Sequence, residues 1–218
     1  MDLTTGYRLI NSKYPPKSLF DDVADADEFE TIYAYQSLSN PRLQNELGNL
    51  QLIPTSEIPF GIPGCNMATA PFTHVNAEGT RFSDGRFGVL YIAETIETAV
   101  AEVHHHQNLY WLNVPGLEYD RFVFRGLCVQ FTDSDCEDLT RLPASDSIYD
   151  LNDYSAARAR GWQLKQQKRQ GVYYNSVRRP GNVCWGLFTP NEVASCVQTS
   201  AYQMVWNGSV TSVDLLVS

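Results

Sequence analysis

The chain has 218 residues, 43% hydrophobic, 12% aromatic and 19% charged, a balance that supports a packed core and excludes intrinsic disorder. Its net charge of −9 excludes a protein whose main partner is nucleic acid, because phosphate binding needs a broadly positive surface, yet leaves room for a small anion held by a few local donors. No run approaches the roughly 20 apolar residues of a membrane span and no apolar stretch follows a basic start, so a cytoplasmic chain is expected.

Length and the absence of repeats or linkers predict one domain over 1–218. The first 70 residues read as short elements and turns. An acidic run covers Asp21 to Glu30, a helix is predicted around Thr31 to Ser37, and Asn40-Pro41 ends it. Gly48 to Gly64 reads as a Pro- and Gly-rich loop with one short strand at Leu50 to Ile53. Phe87 to Ala93 is a nearly continuous apolar run, as in a buried strand. Ile96, Ala99, Val100 and Val103 then fall at helical spacing, predicting an amphipathic helix from Thr95, its N-cap, to His106. Phe122 to Phe131 reads as a strand and Leu151 to Gln167 as a helix containing Gly161. Gly171 to Val177 and Asn182 to Phe188 flank a turn, and Tyr202 to Trp206 and Val210 to Leu216 flank Asn207-Gly208. Strands outnumber helices in the second half, which predicts an α+β fold with a largely antiparallel sheet and a few packed helices. The five cysteines are widely spaced, with no ligand cluster, and are expected to be small apolar groups in the core.

No phosphate-binding glycine loop, nucleophile elbow or zinc-protease motif is present. His104, His105 and His106 project about 100° apart on a helix and cannot converge on one metal, so no metal is expected and a polar helix end is the plainer reading. A more informative set begins at Arg81. Ten residues on is Tyr91 in the buried strand, and eleven further is Glu102, about 60° around the helix from Ala99. Taken alone, Glu102 is either partly buried at the sheet–helix junction or exposed and paired with His106.

RFSDGRFGVLYIA resembles the Arg-led run and Tyr-bearing strand of the RES domain family, and TAVAE resembles its Ala-rich helix ending in Glu. GVYYNSVRRPGNVCWGLF is similar to the family's Ser-bearing strand, turn and following strand. The likeness spans about 74–190, with Ser83-Asp84 where many members have Asn-Pro and Phe82 where they have Trp. It implies a fold like bacterial ADP-ribosyltransferase toxins, and the NAD-degrading toxin of a type II toxin–antitoxin pair. It also implies a cognate Xre-type DNA-binding antitoxin that blocks the site. NAD is then substrate, and no resident cofactor is expected. On this reading Glu102 stabilises the oxocarbenium-like state as the nicotinamide bond breaks, Arg81 clamps the anionic substrate, Tyr91 contacts nicotinamide or ribose, and Ser176 orients Glu102 or the ribose. Arg8, in the G-Y-R near the start, is a further substrate-binding candidate; Arg42, Arg86, Arg178 and Arg179 read more simply as surface cations. ADP-ribose passes to water or to phosphate. Two alternatives use the same residues: transfer of ADP-ribose to a macromolecule, and a non-catalytic binding module.

Overall fold

The computed structural model describes residues 2–13, 25–37 and 47–216. Its strands are β1 (Thr4–Asn11), β2 (Leu90–Ala93), β3 (Tyr119–Phe131), β4 (Cys136–Asp138), β5 (Gly171–Asn175), β6 (Val183–Leu187), β7 (Val193–Asn207) and β8 (Val210–Leu216). They form one sheet in the order β4-β5-β6-β2-β1-β3-β7-β8. Every pairing is antiparallel except β4 with β5, so the expected α+β class with a largely antiparallel sheet is what the chain adopts. The helices are α1 (Ala26–Ser37), α2 (Cys65–Thr73), α3 (Ile96–Leu112) and α4 (Ser155–Gln166).

Pleat alternation divides the buried side chains between two cores. On one face Leu90, Ile92, Leu127 and Val129 pack with Phe29 of α1 and with Cys65, Ala68 and Phe72 of α2. On the other, Leu9, Phe124, Val172, Cys184 and Met204 pack with Ala99 and Trp111 of α3 and with Ala157 and Leu164 of α4. The sheet is therefore covered on both sides, and Tyr91 lies on the second face, the one that α3 with Glu102 covers. All five cysteines are free thiols, with Cys128 in β3 and Cys184 in β6. Among the described residues, no helix is long and apolar enough to cross a membrane.

Several boundaries differ from the sequence-based expectation, each for a local reason. Leu50–Leu52 is a 3-10 turn, not a strand, because the Asn49 side chain accepts the Gln51 N–H and tightens the chain there. α3 continues to Leu112, which puts the three histidines mid-helix, not at its end. Trp111 secures that extension: it is 2% exposed and stacks on Phe122 with ring centroids 3.9 Å apart. α4 begins at Ser155, not Leu151, since Asp150 Oδ1 accepts from the amides of Asn152 and Asp153, and Asp153 Oδ1 from that of Ser155, folding 150–155 into turns. The Asn40-Pro41 stop, Arg42 and residues 21–24 of the acidic run lie outside the described residues.

Candidate active site

The strand–helix unit β2–α3 sets the frame. Thr95 caps α3, its hydroxyl accepting the Thr98 N–H at 3.2 Å, and this fixes the rotation that leaves Ala99 buried and Glu102 half-buried on the sheet side. Across from it, the β5–β6 hairpin carries Ser176 directly after β5. The Ser176 N–H donates to Asn182 O at 2.8 Å, closing the loop, and Gly181 takes the positive φ of +88° that the turn needs. Thr98 Oγ1 donates to Asn182 Oδ1 at 3.2 Å, tying the hairpin loop to the first turn of α3.

Ser176 is 5% exposed, and its hydroxyl is fully directed. The amides of Arg178 and Arg179 donate to Oγ at 3.3 and 3.1 Å, so its one proton goes to Glu102 Oε1, at 2.6 Å. Such a short bond to a carboxylate is charge-assisted. Glu102 pairs with Ser176 and not with His106, which decides between the two readings of this side chain. Its Oε2 has no hydrogen bond among the described residues.

Arg81 is 9% exposed, in the loop leading to β2. Its Nη1 donates to the carbonyls of Ile148 and Asp150, both at 3.0 Å, and the guanidinium lies 4.4 Å from the centroid of the Tyr154 ring. The Tyr91 hydroxyl accepts the Phe82 N–H at 2.9 Å and shares a 2.8 Å hydrogen bond with Thr80 Oγ1. Burial pushes the Tyr91 phenol up to about 12, and the bonds with Thr80 and Phe82 oppose the shift.

Tyr174 joins these groups from below. Two residues before Ser176 on the same face of β5, its phenol is held well above its usual range, first by burial, then by Cys184, Glu102 and Tyr91, while Arg81 opposes. The thiol of Cys184, 2% exposed, is pushed up to about 12, first by burial and then by Glu102, while Ser176 and Tyr174 oppose the shift. Arg178 reaches the same neighbourhood, Nη2 donating to Leu151 O at 3.1 Å, while its Nε is buried without a hydrogen-bond partner. His105 is held below the usual imidazole range by burial and by Arg178, His104 and Arg81. A carboxylate, a directed hydroxyl and two guanidiniums thus lie in one neighbourhood.

Glu102, Ser176, Tyr91 and Arg81 are brought together; Arg8 is set apart. In β1 it opposes Leu127, on the side of Cys196, and alternation places Tyr91 on the other face. Its Nη1 donates to the Tyr91 carbonyl at 3.1 Å. Arg86 pairs with Asp84 and lies 3.5 Å over Trp162, and Arg179 approaches Glu97 at 3.8 Å. The sequence reading missed Thr80, Tyr154, Tyr174, Asn182 and Cys184. Only Tyr174 left a signal, the period of two that puts it beside Ser176.

The RES domain family model matches residues 58–207. A protein of Sinorhizobium fredii (strain NBRC 101917 / NGR234), named uncharacterized protein y4oC, is 27% identical over 208 residues, which cover 93% of this chain and 83% of that protein. Among solved structures, the chain is similar to one from the M. tuberculosis MbcT-MbcA toxin-antitoxin complex, at 18% identity and a TM-score of 0.41, covering 56% of this chain and 73% of that one.

Proposed function

The chain belongs to the RES domain family, and from that premise we propose that it is a toxin which depletes NAD by breaking the bond between nicotinamide and ribose. The observation that carries this reading is the Ser176 hydroxyl, held by two backbone amides and donating to Glu102 Oε1 at 2.6 Å. A carboxylate oriented on one oxygen leaves the other to face a developing ribosyl cation or to hold a ribose hydroxyl. As the C1′–N bond breaks, its electron pair leaves on the pyridinium nitrogen, and nicotinamide departs neutral. Water attacks C1′ and loses a proton to give ADP-ribose, or a phosphate oxygen attacks to give ADP-ribose 1″-phosphate. Arg81, with Nη1 committed to two carbonyls, retains donors for the substrate's diphosphate, and Arg178 stands as a second cation beside it. Free activity of this kind poisons the cell that makes it, so an antitoxin of the Xre type covering this face is part of the proposal.

The test is a time course of the purified chain with NAD, with and without inorganic phosphate, following nicotinamide and the ribosyl product by mass spectrometry. Multiple-turnover release of nicotinamide is expected, and the product mass names the acceptor. Without release, the NAD-depleting reading falls, and ADP-ribose transfer to a macromolecule or a binding role takes its place.

A further inference from the structure

We propose that Tyr91 is a positioning residue that fixes Arg81, and not a group that contacts substrate; the proposal rests on the reading of Arg81 as the anion clamp of an NAD site. The phenol oxygen bonds to the residue on each side of Arg81: it accepts the Phe82 N–H at 2.9 Å and shares a hydrogen bond with Thr80 Oγ1 at 2.8 Å. A phenol offers one donor and acceptor capacity for about two partners, so these two bonds consume most of what it has. The strand beneath is firm, because β2 is paired with β6 along its whole length and with β1 at Ala93.

The same loop is held from its other side. Arg158 Nε donates to Thr80 O at 2.9 Å, the Thr80 N–H donates to Ser83 O at 2.7 Å, and Phe82 is fully buried with its ring edge-on to Tyr174. Arg81 thus leaves a backbone anchored by Tyr91, and its far end is anchored by Ile148 O, Asp150 O and the Tyr154 ring. A long side chain fixed at both ends meets an anion without first being ordered, which is how preorganisation raises affinity.

Tyr91→Phe keeps the ring in the core and removes only the oxygen. In the full chain it is expected to raise the KM for NAD about tenfold while kcat stays within about threefold, and to add nothing further in an Arg81→Ala background. Effects that add in the double variant, or a KM that does not move, overturn the proposal. Amide hydrogen exchange across residues 80–83, measured without substrate, separates this from the NAD reading. Exchange at least tenfold faster in Tyr91→Phe supports the pin whatever the protein acts on, and unchanged protection refutes it even if NAD is consumed.

Discussion

Glu102 and Ser176 differ in what their removal leaves behind. Glu102→Gln keeps the shape and still accepts from Ser176, but takes away the charge that, in the proposed reaction, faces the ribosyl cation. Nicotinamide release is expected to fall by at least 10²-fold, the scale of losing one preorganised electrostatic group. Because Glu102 is half-buried and fills no core position, the melting temperature should stay within a few degrees. Ser176→Ala leaves the carboxylate in place without its 2.6 Å partner and also strands the amides of Arg178 and Arg179. A smaller loss, about 10-fold, is expected, together with measurable destabilisation of about 1–3 kcal/mol. Steady-state rates and thermal melts on the two variants check the order. Equal rate losses would mean that Ser176 does more than orient Glu102.

At the level of elements, the approach of α4 to the Arg81 loop is the tightest constraint on the site. A Cβ at Gly161 would lie 2.0 Å from Phe82 O, so only glycine lets the helix sit this close. Gly161→Ala gains up to about 1 kcal/mol of helix propensity but forces α4 or the loop to move. A net loss of about 1–3 kcal/mol is expected by chemical denaturation, with a raised KM because Phe82 adjoins Arg81. A more stable variant with unchanged KM would remove this contact from the account. Gly161 also shows how far the sequence could be read: it appeared as a flaw in a helical pattern, and its cause lay 79 positions away in the partner loop. Periodic elements whose own residues decide their state were legible, such as α3 with its Thr95 cap and β2 with its apolar run. β1 and α2 were not, because TTGYRLIN alternates weakly and α2 contains Pro71. Their state is settled by pairing with β3 and by packing on Leu90 and Ile92. The four candidate residues were legible only through the family resemblance, since Glu102 and Ser176 taken alone read as an ordinary helix Glu and strand Ser. The carbonyls at 148–150 that hold Arg81 were not, since backbone acceptors leave no mark on a sequence.

On the scale of the whole molecule, the site is a local exception to the chain's −9 charge, and it lies over the core that α3 and α4 cover. Acids held protonated by burial, Tyr91 and Cys184 in that core and Cys136 against the other, make the fold sensitive to alkali. Burial raises the Tyr91 phenol from 10.0 to about 12, and the thiols of Cys136 and Cys184 from 9.0 to about 12. Each is favoured neutral in the folded state, so its contribution is fully present below the unfolded value and is lost as pH rises toward the folded one. For Cys184, 2% exposed, about 1.5 pH units of that window have passed by pH 10.5, or about 2 kcal/mol. For a chain of this size that corresponds to roughly 4–8 °C. Under reducing conditions the melting temperature is expected to fall steeply above pH 9, and the advantage of the wild-type chain over Cys184→Ala should shrink by that amount between pH 8 and pH 10.5. A constant gap would mean that the thiol ionises as readily in the folded chain as in the unfolded one.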